Sequence, residues 1–355
     1  MNGTGVAMYY RWLDQWDERR TRRRDDVKKV TGLVLDPELV FPAREGVWSL
    51  EAFCDSAELT AANSGSFFGL SDPIANICTD AQWIRFPSSV STGISENDLV
   101  HAKVTRAGSF DHAVIVFHHW NATSRNAALA RHLARQGLTV VEIAMPYHLE
   151  RIRPGSSYAD HMLSSNLGRT LQSVRQAVMD GRQLIRVLQS AGYRSVSVLG
   201  ISLGSWVAGL VAAHDPAIHK ASLLLSAGNL ADMVWSGAAT QHILTGLEGK
   251  MERSDLRRAW SVLDLGSYAT RLARPGLEVQ FILAKRDKVV LPDLSETFIQ
   301  QLRSAGASIQ VTRLNCGHYS VGLLPYVIKV GVNVSRFLRS SGRGQGSGAN
   351  RTDQA

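Results

Sequence analysis

Cysteine is scarce in this chain of 355 residues: Cys54, Cys78 and Cys316 are its only three. They are too few and too scattered for a disulfide framework, and their odd number leaves one free in any pairing. Such usage fits a reducing compartment, so a cytoplasmic location is expected. No run of about 18 apolar residues occurs, which excludes a membrane-spanning helix. The stretch 8–16 is broken by Arg11, Asp14 and Gln15, so no apolar signal region is expected near the start. Zinc-finger spacing, RNP-like motifs and basic stripes interleaved with aromatics are also missing, and no nucleic-acid partner is expected. No internal repeat is visible.

What is present is ordinary globular material. Hydrophobic residues at 45% and charged residues at 20% supply a sizeable core for one large domain. The formal net charge of +8 is unevenly spread. Residues 1–30 hold eight Arg and Lys against five Asp and Glu, and residues 336–355 hold four against one. The body between them is close to neutral.

Residues 9–30 suit a charged helix, with Tyr9, Trp12, Leu13 and Trp16 at i, i+3, i+4 and i+7. Either it docks those aromatics on the main domain, or it makes a peripheral contact with a membrane surface, aromatics in and arginines out. It opens an N-terminal extension (1–79) expected to pack on the main domain. From 80 to 338, short β-type runs alternate with helical stretches. The candidate strands are 82–87, 99–105, 112–118, 138–144, 195–199, 221–225, 278–284 and 308–314. Helices are expected at 124–136 and 166–190, ended by Gly137 and Gly192. The alternation predicts an α/β fold with a doubly wound, mostly parallel eight-stranded sheet. Residues 227–276 are too long for a simple crossover and predict a helical cap over the active site. The Gly- and Ser-rich tail, 339–355, is expected to be disordered.

Gly200, Ile201, Ser202, Leu203 and Gly204 form G-x-S-x-G between the strand 195–199 and the helix-like stretch 205–214. Such a turn holds the serine at a sharp strand-to-helix corner. A Cβ at either flanking position would meet backbone there, and the helix N-terminus favours an oxyanion beside Ser202. The pentapeptide alone is weak; its placement makes it specific. A serine hydroxyl needs a base, and the base needs a group that fixes its tautomer. In the chain order Ser, acid, His, the candidates are Asp287 in AKRDKVV and His318 in NCGHYS. Each follows a strand at its carboxyl end, the edge where parallel sheets bind ligands. Asp232 is the rival acid, and His214 and His242 are rival bases. An oxyanion hole of this kind takes the amide of the residue after the nucleophile, Leu203, and one from the loop after the third strand, 118–121.

The segments FHHWN, MPYHLER, GISLGS, AKRD and NCGH resemble the α/β-hydrolase superfamily. More narrowly, they are similar to bacterial esterase-like members near the dienelactone hydrolases and the prolyl-oligopeptidase-like branch. The resemblance covers about residues 82–338 and implies that His118 opens the oxyanion loop, with the amide of His119 or Trp120 joining that of Leu203. His119 departs from the pattern, since glycine is common there, and its side chain either narrows the site or reaches the substrate. Adjacent residues on a strand face opposite ways and no further ligand lies at suitable spacing, so no metal is expected at His118 and His119, and no other cofactor. The candidate substrate-contacting residues are His118, Tyr147, His148, Arg151 and Trp235. Arg151 and Arg153 either grip an anionic group of the substrate or pin their own loop, with Asp160 as a partner. Trp120, Trp235 and Trp260 either line an apolar pocket or belong to the core.

The expected activity is carboxylic ester hydrolysis through an acyl-enzyme, on a small-molecule or lipid ester. An acyltransferase, thioesterase, lactonase, amidase or lyase would use the same parts. A non-catalytic binding protein usually lacks one triad member, and this chain has all three.

Overall fold

The computed structural model describes residues 3–25, 28–43, 47–70 and 76–340. It begins with helix α1 (Gly3–Asp25), then α2 (Leu50–Ala62) and α3 (Ser64–Phe67). Nine strands follow in one sheet: β1 (Cys78–Thr79), β2 (Trp83–Pro87), β3 (Leu99–Thr105), β4 (His112–Phe117), β5 (Thr139–Ile143), β6 (Ser195–Ile201), β7 (Ile218–Leu224), β8 (Glu278–Ala284) and β9 (Ser308–Leu314). Their spatial order is β1-β2-β3-β5-β4-β6-β7-β8-β9. Pairing is antiparallel from β1 as far as β5 and parallel from β5 to β9.

Between the strands lie α4 (Ser95–Asp98), α5 (Ala127–Arg135), α6 (Leu167–Ser190) and α7 (Leu203–His214). Later come α8 (Leu230–Ser236), α9 (Gln241–Leu247), α10 (Arg253–Ala259), α11 (Ala269–Leu272), α12 (Pro292–Ser304) and α13 (Tyr326–Arg339). Asn126 and Asn166 cap α5 and α6, each side-chain carbonyl accepting the amide three residues on, at 3.1 and 2.9 Å.

The core is two layers, one on each face of the sheet. β4 sends Ala113, Ile115 and Phe117 to one layer and Val114 and Val116 to the other; β8 divides Val279, Phe281 and Leu283 from Ile282 and Ala284 in the same way. Because both faces are covered, the central strands are buried on both sides and read as mostly apolar, as in Ala113–Phe117 of β4. The first layer takes buried residues of α2, α6, α7 and α12. The second takes those of α5 and α13, together with Leu13 of α1. Helix α1 therefore docks on the domain, with Tyr9 and Tyr10 packed against the same layer. Among the described residues no helix is long and apolar enough to cross a membrane.

All eight expected strands are present. The sheet also has β1, a two-residue edge strand too short to carry a periodic signal, and β7 starts at Ile218 instead of 221. His219 and Lys220 hide that start in the sequence. Lys220 is nevertheless buried, its ammonium donating to the Phe337 carbonyl at 2.7 Å. The insertion 227–276 carries α8 to α11 but does not form the expected cap. Its α10 packs against α2, where Arg258 reaches Glu51, Asp55 and Glu58. The expected disordered tail lies, from residue 341 onward, outside the described residues.

The loop after β5 is pinned from below by a buried ion pair. Arg151 and Asp180 are both wholly buried, with Nη1 and Oδ2 2.8 Å apart. The guanidinium also donates to the carbonyls of Asn97 at 2.8 Å and Ala144 at 3.1 Å, and Ser88 donates to the other Asp180 oxygen at 2.6 Å. Removing one partner of such a pair leaves an uncompensated buried charge. Arg151→Ala is accordingly expected to lower stability by about 3–5 kcal/mol, read as a shifted urea midpoint. An unchanged midpoint would contradict this assignment.

Candidate active site

The G-x-S-x-G segment runs from the end of β6 into α7. Ser202 has φ 53° and ψ −123°, a conformation that costs an L-residue on the order of 1–3 kcal/mol and persists only where surroundings enforce it. The enforcement is visible. Its amide donates to the Leu224 carbonyl of β7 at 2.9 Å, and its carbonyl accepts from the Ser205 amide at 2.7 Å and hydroxyl at 2.6 Å. A Cβ on Gly204 would collide with the carbonyl oxygens of Phe117 and His118, and one on Gly200 with the backbone of Gly204 and Ser205. The glycines thus let the end of β4 lie directly against the start of α7, bringing the 118–121 loop beside Ser202.

Asp287 and His318 arrive from the ends of β8 and β9. His318 Nε2 is 3.0 Å from Ser202 Oγ, and His318 Nδ1 is 2.7 Å from Asp287 Oδ2. The other Asp287 oxygen accepts the amides of Val289 and Val290, both at 2.8 Å. All three side chains are buried. The rivals are engaged elsewhere: Asp232 pairs with Arg253 and Arg257 at 2.8 and 2.6 Å, His214 Nδ1 bonds the Leu210 carbonyl at 2.9 Å, and His242 stacks on Trp120.

No protein-family model matches the chain, and no curated protein sequence matches it. Solved structures do. Acetyl xylan esterase 1 from Thermoanaerobacterium sp. superposes with a TM-score of 0.56 at 15% identity, over 90% of this chain and 98% of the other. The Pyrococcus horikoshii acylaminoacyl peptidase gives 0.56 at 12% identity over 81% of this chain, which spans only 45% of that longer protein. The Pyrococcus furiosus esterase Pf2001 gives 0.51 at 14% identity, over 84% and 97%. This chain has the α/β-hydrolase fold.

Within that fold, Ser202 and His318 border a cavity of about 570 Å³, a size that suits a small-molecule ligand. Its walls are largely aliphatic, with Leu129 from α5, Ile201, Leu224 and Leu225 from the sheet edge, and Val327 and Val330 from α13. His119 and Trp120 are among the residues that line it. Trp120 is held by its indole N–H on the Ala159 carbonyl at 3.0 Å, with the Lys28 ammonium 4.5 Å above its ring.

Five expected contacts need correction, because none of them lines this cavity. Arg151 is consumed by the Asp180 pair. His118 lies beneath the loop, where Nε2 accepts the Met145 amide at 3.1 Å. His148 Nε2 accepts the Asn121 amide at 2.9 Å, fixing the same loop from the side. Tyr147 is buried against His161. Trp235 packs on the main core, as Trp260 does. Arg153 pairs with Asp160 at 3.0 Å. The insertion after β7 gives the cavity only Ala239; Trp16, Arg20 and Lys28 of the N-terminal extension border it instead. A helical stripe was visible around Trp16, but nothing in the local pattern ties that helix to strand ends 300 residues later. Among the described residues, no group of three or more His, Cys, Asp or Glu side chains is placed to hold a metal ion.

His148 can accept the Asn121 amide only while neutral. Burial lowers its pKa from 6.5 to about 4, and burial holds His112, His214 and His242 near 4 as well. A folded-state pKa below the unfolded one favours the neutral form. The associated stability is complete above pH 6.5, declines as pH falls, and is gone below about 4. For His148 the difference is about 3 kcal/mol. Denaturation midpoints between pH 7 and 4.5 are expected to fall steadily, with a shallower fall in His148→Gln; equal slopes would contradict the role given to this histidine.

Proposed function

We propose that this protein is a serine hydrolase that cleaves a carboxylic ester through an acyl-enzyme. The observation that carries the reading is the continuous hydrogen-bond chain from Ser202 through His318 to Asp287, at 3.0 and 2.7 Å. Ser202 Oγ attacks the ester carbonyl carbon while His318 Nε2 takes its proton. Asp287 keeps the other ring nitrogen protonated and stabilises the imidazolium. The amide of Leu203 and one from His119 or Trp120 receive the oxyanion; that of Asn121 is already engaged with His148. Collapse expels the alcohol, which takes the proton back from His318. Water then attacks the acyl-enzyme with His318 again as base.

The reading rests on residue geometry, since likeness at 12% to 15% identity speaks for the fold alone. Two of the three structural relatives named above are esterases, and the aliphatic walls suit the acyl part of an ester. Each methylene buried against such walls contributes up to about 0.8 kcal/mol, or roughly fourfold in kcat/KM.

Wild type is expected to be labelled by a fluorophosphonate probe, and Ser202→Ala to resist it. Folded wild type that resists labelling would falsify the proposal. His318→Ala is expected to lower kcat by about 10²–10⁴-fold or more. On p-nitrophenyl esters of graded length, kcat/KM is expected to climb with each added methylene until the cavity is full; a flat profile would exclude the aliphatic walls as the acyl site.

A further inference from the structure

We propose that α1 belongs to the catalytic apparatus, with Asp17 as a positioning residue for His318, an inference that rests on the serine-hydrolase reading above. Asp17 is buried although it lies on a helix rich in charge. Its Oδ1 accepts the amides of Tyr319 at 2.7 Å and Ser320 at 3.0 Å, and its Oδ2 accepts the Ser320 hydroxyl at 2.5 Å. That hydroxyl in turn accepts the Gly317 amide at 2.8 Å. A Cβ on Gly317 would run into the same carboxylate. The residues on both sides of His318 are thus tied, directly or through one hydroxyl, to a single charged group. Hydrogen bonds to a carboxylate are among the stronger ones, and burial strengthens them further.

Three residues earlier on the same helix, Asp14 accepts from Arg286 Nε at 2.8 Å. Residues three apart share a helix face, so one face of α1 meets both loops. Arg286 is the neighbour of Asp287, and its amide donates to the Cys316 carbonyl at 3.0 Å. The acid-bearing and base-bearing loops are therefore joined to each other and to α1. Ser202, by contrast, is held by the sheet. The distance from His318 Nε2 to Ser202 Oγ is set by where α1 places the 317–320 loop, and about 1 Å of misplacement costs on the order of 10²-fold in rate.

The test compares Asp17→Ala, Asp17→Asn and Ser320→Ala, with Glu18→Gln as a control that removes a neighbouring exposed charge. Circular dichroism establishes folding; kcat and KM on p-nitrophenyl butyrate and the rate of fluorophosphonate labelling are then measured. Asp17→Ala is expected to lose about 10–100-fold in kcat and in labelling rate with KM little changed. Asp17→Asn keeps an acceptor for the two amides and should fall between it and wild type, while Glu18→Gln should match wild type. Folded Asp17→Ala with wild-type kcat overturns the inference. Should that variant not fold, Asp17→Asn and Ser320→Ala decide, and wild-type kcat in both overturns it. Wild type that labels normally while all the variants behave like it defeats this inference alone; wild type that fails to label defeats the serine-hydrolase reading and this inference with it.

Discussion

At the centre of the sheet, the backbone of α7 passes so near the end of β4 that no side chain fits between them. The contact of Gly204 with the Phe117 and His118 carbonyls is the constraint on which the site depends. It fixes the corner at which Ser202 adopts a conformation that few L-residues tolerate. It also sets the 118–121 loop beside that corner, where His148 accepts the Asn121 amide. A larger residue at 204 would separate β4 from α7, and Ser202 and the 118–121 loop would part together.

Around that contact, polar groups are arranged as supports rather than as substrate contacts. His118 and His148 accept backbone amides, Arg151 closes a buried charge pair, and Asp287 accepts two amides on the oxygen that does not face His318. These groups lie in loops at the carboxyl edge of the sheet, where polarity in a sequence is readily taken for recognition. Their burial shows another use. The cavity wall itself is aliphatic.

This explains which parts were legible in the sequence. Strands such as Glu278–Ala284, a largely apolar run, and Ser308–Leu314, where apolar and polar residues alternate, were readable to the residue because turns bound each of them. Ser202, Asp287 and His318 stand out in the sequence because each sits at a strand end in a fixed order, and in the structure hydrogen bonds join them; their catalytic roles are a proposal. Tyr147, Arg151 and Trp235 were misread because position at an edge does not say which way a side chain turns. The expected cap was misplaced for a related reason: loop length announces an insertion but not the surface on which it packs. The role of Asp17 was beyond reach, since its partners lie about 300 residues later.

That last separation bears on how the protein is made. Asp17 and the loop around His318 are 302 and 303 residues apart along the chain at their hydrogen bonds. Closing so long a loop is an entropic barrier that local structure does not lower. During synthesis the corner at Ser202 is complete in the polypeptide long before the segment that carries His318 emerges. The nascent chain therefore carries Ser202 without its hydrogen-bond partner His318 until β9 and the loop after it have been made.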